Sequence, residues 1–199
     1  MKAKISFVLV LLSVSICFGL THKISSGKPA LNFTLQDTSG QNVSLGDYFG
    51  KVIVLEWRDP DCSYVKKQYN SNKMQELQKK YTQDYGVIWL TLLVGREKDE
   101  EKLFSTKELL DPSREVAKLY GITRVPQIVV IDASGYVAYI GAVDSIRSSL
   151  VEDVARAKVN YIANSLDAII ASYPVSVSHT RPYGCDISKY SPRPFERVA

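Results

Sequence analysis

The sequence predicts an α/β protein with one central mixed β-sheet flanked by helices. Three apolar runs carry this prediction: "VIVLEW" (52–57), "GVIWLTLL" (86–93) and "PQIVVID" (126–132). Continuous β-branched runs are typical of strands covered on both faces, and segments with helical periodicity separate them. After the third run, "ASG" turns the chain into "YVAYIGAV" (136–143), which predicts a hairpin and therefore an antiparallel edge.

A second β-hairpin is predicted as an N-terminal extension of this sheet. Leu31, Phe33 and Leu35 alternate with polar residues, as in a strand with one buried face. "DTSGQ" then has the composition of a turn, and a short strand begins at Val43 and Leu45.

Three segments are predicted to be helical. Residues 63–81 place apolar side chains on one face, with a break near "NSN". "DPSREVAKLYG" predicts a helix with Asp111 as N-cap, Pro112 in its first turn and Gly121 at its end. Residues 148–173 predict one long amphipathic helix.

Two polar segments complete the domain plan. The charged stretch 95–110 is predicted to be a solvated loop or helix. We assign residues 27–173 to the folded domain and residues 174–199, which are rich in Pro and Ser and contain Cys185, to an ordered or tethered tail.

The N-terminus is predicted to direct export. Residues 1–20 carry two lysines and then the apolar run 5–18, which as a helix would cover about 21 Å. That is short of the roughly 30 Å of a bilayer core, so a signal peptide is favoured, with residues 21–26 as a linker. Lipidation at Cys17 and an uncleaved anchor remain alternatives. The protein would be periplasmic or secreted, and would touch a membrane only through an uncleaved or lipidated N-terminus.

The composition limits the classes of function. The chain has 199 residues, 45% of them hydrophobic, and a formal net charge of +4, which suits one domain with appendages. The sequence has no basic stripe of the kind that would indicate a nucleic-acid partner. His22 and His179 are the only histidines, too few and too scattered to predict a metal site. We expect no metal and no cofactor.

Cys62 is the main candidate for chemistry. In "EWRDPDCSYV" it follows an apolar strand and precedes a helix. A thiolate at a helix N-terminus is stabilised by unpaired amides, and the thiolate is the nucleophile. Lys66 and Lys67 would add positive potential, while Asp59 and Asp61 oppose it. The alternative is an inert core thiol, against which the polar flanks argue.

A proline directly before a predicted strand is the second feature. Pro126 cannot donate a hydrogen bond to a ladder. It is either an ordinary strand-start proline or one preceded by a cis peptide bond.

Together these segments resemble the thioredoxin superfamily. The match runs over about residues 27–172, through the opening hairpin, "EWRDPDCSYVKKQY", "GITRVPQIVVID" and a late "RPYGC". It resembles the redoxin branch, peroxiredoxin-like (AhpC/TSA-type), in a subgroup with a single motif cysteine. The resemblance implies a thioredoxin-like fold, Cys62 as the reactive thiol and Pro126 as a cis-proline that shapes a substrate groove. Trp57, Asp61 and Val125 are the residues expected to line that groove.

The chain departs from these families at three positions. Val65 stands where thioredoxins have their second cysteine. Peroxiredoxins have Thr or Ser where this chain has Asp59, and Arg where it has Pro126, while Arg124 lies two residues away. The peroxide-activating set is therefore incomplete.

Cys185 is the remaining candidate for a partner of Cys62. It could be a resolving cysteine, a structural staple or an unpaired thiol, and the sequence does not choose among these.

The function predicted from these observations is thiol oxidoreduction through Cys62, acting on protein or small-molecule disulfides or on peroxides, with a thiol electron donor. The rival hypothesis is a binding or structural module of the same fold, stapled by a permanent Cys62–Cys185 bridge.

Overall fold

A computed structural model describes residues 24–95 and 104–189 of the chain, and its described strands form two sheets. In chain order the strands are β1 (Thr34–Asp37), β2 (Asn42–Ser44), β3 (Ile53–Arg58), β4 (Ile88–Leu93), β5 (Lys107–Leu110), β6 (Arg124–Val125), β7 (Gln127–Ile131), β8 (Val137–Gly141) and β9 (Cys185–Asp186). Seven of them form one mixed sheet in the order β2-β1-β5-β4-β3-β7-β8, while β6 pairs with β9.

The helices lie between these strands. They are α1 (Ser63–Asn70), α2 (Lys73–Lys79), α3 (Glu115–Leu119) and α4 (Tyr161–Ile170), with 3₁₀ turns at Leu45–Tyr48, Val151–Arg156 and Ile187–Lys189 and a π-helical turn at Lys80–Asp84. The predicted α/β class, with a central mixed sheet flanked by helices, is confirmed.

Strand β3 is an interior strand of the large sheet and leads into the candidate site. It pairs in parallel with β4 and antiparallel with β7. All six of its residues are buried, as expected for a strand covered on both faces. The chain leaves the end of β3 through a short turn and enters α1, so this junction follows a strand that is paired on both sides.

The N-terminal hairpin is confirmed, and the segment after β4 needs a correction. Strands β1 and β2 pair antiparallel through a turn at Asp37. Part of the charged stretch 95–110, predicted to be a loop or helix, forms β5 between β4 and β1. The prediction was wrong there because we took the charged residues as evidence of exposure to solvent. In the structure Lys107 Nζ binds Asp37 Oδ2 at 2.8 Å, and Leu109 is fully buried. Residues 96–103 lie outside the described part.

The break predicted within 63–81 is present, because α1 ends at Asn70 and α2 begins at Lys73. The single helix predicted over 148–173 is wrong. A 3₁₀ turn ends at Arg156, and α4 begins only after Asn160, whose side chain accepts from the amide of Ala163 at 2.9 Å. Residues just before α4 pair instead with the loop after β8, and that pairing outweighs their helical periodicity.

The helix predicted with Asp111 as its N-cap begins three residues later than expected, because its N-cap is Arg114 and its first residue is Glu115. Asp111 still binds the first turn of this helix, because its buried carboxylate accepts hydrogen bonds from the amides of Val116 (3.2 Å) and Ala117 (2.8 Å). The end at Gly121 is as predicted, with a positive φ of 65°.

The tail packs onto the domain over its described part. The backbone of His179 forms an isolated parallel β-bridge with Ile140 at the edge of the sheet, and Tyr183 is buried. Ile24, which we assigned to the linker, is buried as well. The predicted export segment 1–20 and residues 190–199 lie outside the described residues. Within residues 24–95 and 104–189, no helix has the length and apolar character needed to cross a bilayer.

Candidate active site at Cys62

Cys62 is the N-cap residue of α1, directly after the turn that follows β3. Its φ of −72° and ψ of 124° are extended. Its carbonyl accepts hydrogen bonds from the amides of Val65 (3.0 Å) and Lys66 (2.9 Å). The first turn of a helix carries unpaired amides and about half a positive charge. The structure thus places Cys62 at the junction that the sequence predicted.

Cys62 and Cys185 form a disulfide, which settles a pairing that the sequence left open. Their Cα atoms are 5.9 Å apart and 123 residues separate them in the chain. Cys62 Sγ also lies 3.4 Å from the carbonyl oxygen of Val125. A bridged sulfur has no proton to donate, so this contact can become a hydrogen bond only after reduction to the thiol.

The polar flanks of Cys62 do not keep it out of the core, contrary to our expectation. Its side chain is 1% exposed and belongs to the same hydrophobic cluster as Val65 and Val125. The preceding Asp61 is exposed. The burial follows from the bridge, because β9 brings Cys185 over the sulfur and pairs with the strand beside it.

The segment facing Cys62 carries the predicted groove proline. The peptide bond between Val125 and Pro126 is cis, and both residues are buried. Val125 pairs antiparallel with Cys185, and Arg124 pairs with Asp186. The backbone edge before Pro126 is therefore occupied by the chain's own tail.

Glycine is required immediately before Cys185. Gly184 has a φ of +117°, and a Cβ atom there would collide with the carbonyl oxygen of Val125. Arg124 Nη1 donates to the carbonyl of Gly184 at 2.8 Å. The tail therefore approaches β6 more closely than a residue with a side chain would allow.

Tyr183 is anchored in a polar pocket beside the bridge. Its hydroxyl donates to Asp144 Oδ1 at 2.6 Å. The same carboxylate accepts from Gln68 Nε2 (2.7 Å) and from the amide of Ile146 (2.8 Å). Burial raises the pKa of the Tyr183 hydroxyl above its ordinary value, and the neighbouring Asp144 carboxylate raises it further. Tyr183 is therefore a neutral hydrogen-bond donor here.

Lys67 forms another wall of this pocket. It is fully buried, its Nζ donates to the carbonyl of Ile146 at 2.9 Å, and it lies 5.2 Å from the centre of the Tyr183 ring. Burial lowers the pKa of Lys67, while Asp144 and Asp153 raise it. Its ammonium group, which we predicted to add positive potential at Cys62, also lies 4.0 Å from Asp144 Oδ1.

This pocket was not predicted from the sequence. Pro182 and Gly184 of "RPYGC" favour a turn, and Asp144 lies in the unremarkable "GAVDS". The one signal available in the sequence was a tyrosine two positions before a cysteine.

Trp57 and Val65 are buried in the hydrophobic core, whereas Asp61 is exposed. Trp57 is fully buried and packs on Tyr120 with 5.3 Å between ring centroids, so its side chain offers no surface to a substrate. Asp61 is exposed beside Cys62, and its amide donates to Asp59 Oδ1 at 2.9 Å. Val65, at the position of the missing second cysteine, is buried.

A buried carboxyl group connects β3 to α1. Glu56 is fully buried and accepts from Tyr69 Oη (2.7 Å), Gln78 Nε2 (3.2 Å) and Trp89 Nε1 (2.8 Å). Burial raises the pKa of Glu56, and the charge of Arg58 opposes this rise. The Arg58 guanidinium stacks 3.7 Å from the centre of the Tyr69 ring.

The described residues contain no group of three or more His, Cys, Asp or Glu side chains that could hold a metal ion.

The fold and the bridged cysteine at a helix N-terminus define a redoxin-type protein of the thioredoxin superfamily. More particularly, the chain belongs to the AhpC/TSA family, whose model matches residues 26–140.

Two curated relatives and one solved structure are similar to this chain. The chain is 28% identical over 144 residues to the thiol-disulfide oxidoreductase ResA of Bacillus subtilis, covering 68% of this chain and 77% of that protein. It is 29% identical over 126 residues to the ResA of Bacillus cereus, covering 60% and 71%. An uncharacterized conserved protein from Geobacillus kaustophilus has the same fold, with a TM-score of 0.70 at 22% identity, covering 87% of this chain and 96% of that one. The family and the curated relatives support the prediction of a thiol oxidoreductase.

Proposed function

We propose that this protein is an exported thiol-disulfide oxidoreductase in which Cys62 is the nucleophile and Cys185 the resolving cysteine. The observation that carries the proposal is the bridge between a sulfur at the first turn of α1 and a sulfur on the tail. The names of the curated relatives support the same reaction class. The proposal is limited to disulfide substrates, because Asp59 stands where peroxiredoxins have Thr or Ser.

The reaction begins with both cysteines reduced. The Cys62 thiolate attacks one sulfur of a substrate disulfide, which forms a mixed disulfide and releases the other substrate sulfur as a thiolate. The Cys185 thiolate then attacks Cys62 Sγ, which forms the intramolecular bridge and releases the second substrate thiolate. The substrate gains two electrons and the cysteine pair loses two. An external dithiol donor supplies two electrons to open the bridge again.

The position of Cys62 serves both halves of this cycle. Cys62 is the N-cap residue of α1, and the positive end of the helix dipole there favours the thiolate form of the reduced cysteine, which is the form that attacks. The same stabilisation makes Cys62 a better leaving group when the bridge is opened, because a thiol of lower pKa leaves faster.

The test is the reduction of a protein disulfide, such as those of insulin, by dithiothreitol. The wild-type protein should accelerate this reaction, and Cys62→Ser should reduce the rate to that of the uncatalysed control. Cys185→Ser is the matched variant: it should retain the first attack and accumulate a mixed disulfide on Cys62, detectable by mass spectrometry. Unchanged catalysis in Cys62→Ser would exclude this mechanism.

The rival hypothesis of a permanent staple gives a different result. In that case the bridge would stay closed at dithiol concentrations that reduce ordinary redox-active pairs, and the wild-type protein would not accelerate insulin reduction. Measuring the equilibrium of the bridge against defined ratios of reduced and oxidised dithiothreitol decides between the two.

A further inference from the structure

We propose that the groove beside Cys62 recognises partner polypeptides through a tyrosine pocket, and that a preferred partner presents the sequence Tyr-Gly-Cys in extended form. This inference rests on the proposed function, since it names the substrate class of that site. The tail occupies the groove in the bridged state, and its contacts define the chemistry of a segment that would replace it.

The pocket walls are held together without the tail. Asp144 is fixed by Gln68 and by the amide of Ile146, and Lys67 binds the carbonyl of Ile146. These four residues come from α1 and from the loop after β8. When Tyr183 leaves, the walls keep these hydrogen bonds, so the pocket is preorganised for another occupant.

The pocket selects a tyrosine over other side chains. The Asp144 carboxylate receives the Tyr183 hydroxyl at 2.6 Å, and the Lys67 ammonium faces the ring at 5.2 Å. The Tyr64 ring lies 6.0 Å from the Tyr183 ring. A phenylalanine would keep the ring contacts but leave the Asp144 oxygen without that donor, which is costly in a buried site. An alanine would lose both.

The next two positions are fixed by the backbone. The position after the tyrosine must be glycine, because any Cβ there would collide with the carbonyl oxygen of Val125. The following residue pairs with Val125 and brings its sulfur to Cys62. The spacing of the pocket from the sulfur therefore requires an aromatic residue two positions before the reacting cysteine.

The experiment compares the rates at which different peptide disulfides react with the same protein. The probe is the heptapeptide Arg-Pro-Tyr-Gly-Cys-Asp-Ile, copied from residues 181–187, with its cysteine joined to 2-nitro-5-thiobenzoate. Attack by Cys62 forms a protein–peptide disulfide and releases the coloured thiolate, which is the better leaving group. The protein is the full chain carrying Cys185→Ser. A second form also carries Tyr183→Ala, which empties the pocket. Cys62→Ser/Cys185→Ser is the blank and accounts for reaction at Cys17.

With the Cys185→Ser protein, we expect the tyrosine peptide to react at least about ten times as fast as a peptide with alanine in place of the tyrosine. A tenfold ratio of rates corresponds to a difference of ~1.4 kcal/mol in free energy. The phenylalanine peptide should be intermediate, and a peptide with alanine in place of glycine should be slow. Emptying the pocket with Tyr183→Ala should accelerate the tyrosine peptide more than the alanine peptide, so that the ratio of their rates rises. Adding Asp144→Ala removes the acceptor of the tyrosine hydroxyl and should lower the ratio of the tyrosine-peptide rate to the phenylalanine-peptide rate to about one.

The outcomes separate the two proposals. Equal rates for the tyrosine, phenylalanine and alanine peptides, all well above the blank, would overturn the pocket and leave the oxidoreductase intact. Rates that match the blank for every peptide would overturn both. Because the decisive comparison varies the peptide on a single protein, a folding defect in one variant cannot imitate the expected pattern.

Discussion

The two sulfurs of the bridge differ in access to solvent. Cys62 is 1% exposed, whereas Cys185 is half-buried on the tail. Thiol–disulfide exchange requires the attacking thiolate to reach one sulfur, and the other sulfur then departs. Both accessibility and leaving-group stability favour attack on Cys185 with departure of Cys62.

We therefore predict that a reducing thiol adds first to Cys185. A short reaction of the oxidised protein with a monothiol such as cysteamine, followed by rapid alkylation and mass spectrometry, should place the cysteamine adduct on Cys185 and the alkyl group on Cys62. An adduct found mainly on Cys62 at the earliest times would contradict this assignment.

Gly184 sets how readily the bridge closes. The variant Gly184→Ala would force β9 away from Val125, which lowers the effective concentration of Cys185 at Cys62. We expect the equilibrium constant for bridge formation, measured against glutathione, to fall about tenfold or more.

Gly86→Ala is the matched control for Gly184→Ala. Gly86 also has a positive φ, of +65°, but a Cβ atom there would have open space around it. Gly86→Ala therefore introduces a side chain at a residue of positive φ without a collision. An equal effect of both variants on the bridge would show that strain, and not contact with Val125, is responsible.

At the level of elements, the buried Glu56 ties α1 to the sheet. Its carboxyl accepts from Tyr69 of α1 and from Gln78 of α2. A carboxyl group whose pKa is raised by burial binds its proton more tightly in the folded state. Folding stability from this group is therefore complete at low pH and falls as pH rises above the ordinary glutamate pKa of about 4.3.

We predict that Glu56→Gln removes this pH dependence. Urea unfolding of both proteins between acid and neutral pH should show the wild type losing free energy of unfolding relative to the variant as pH rises. Groups common to both, including Arg58 and Tyr69 next to Glu56, largely cancel in the difference. A difference that stays constant across this pH range would show that Glu56 does not titrate above its ordinary value.

Sequence periodicity predicts some of the helices and strands of this fold but not others. The central strands, the two hairpins and the break between α1 and α2 follow from local patterns of apolar residues and turn formers. Strand β5 does not, because its charged Lys107 is accommodated by Asp37 on a strand about seventy residues away. Residues 157–160 were assigned to a helix because the partners of their backbone, in the loop after β8, are invisible to periodicity.

Some residues of the candidate site could likewise be identified from local sequence, whereas others depend on contacts between distant parts of the chain. Cys62 at a helix start and Pro126 before a strand could be identified from local sequence. The pairing of Cys62 with Cys185 and the tyrosine pocket could not, because both depend on where a tail of irregular sequence folds back. Asp144 and Gln68 meet Tyr183 only in the folded chain.

For the molecule as a whole, the bridge closes a loop across most of the domain. A separation of 123 residues corresponds to about 5 kcal/mol in the chain-entropy model, because the bridge restricts the unfolded chain. We predict that reduction of the wild-type protein lowers its free energy of unfolding by an amount of this order in guanidinium titrations.

Cys185→Ser is the control for this measurement. It should unfold like the reduced wild type and should not respond to reductant. If oxidised and reduced wild-type proteins unfold at the same denaturant concentration, the bridge does not contribute to global stability.

The distance between the two cysteines along the chain also sets an order of events during synthesis. Cys62 leaves the ribosome 123 residues before Cys185, a delay of roughly 6 to 25 s at translation rates of about 5–20 residues per second. Throughout that interval the nascent polypeptide carries Cys62 without its eventual partner. Strand β9 is then added last, to an edge that the earlier residues have already built.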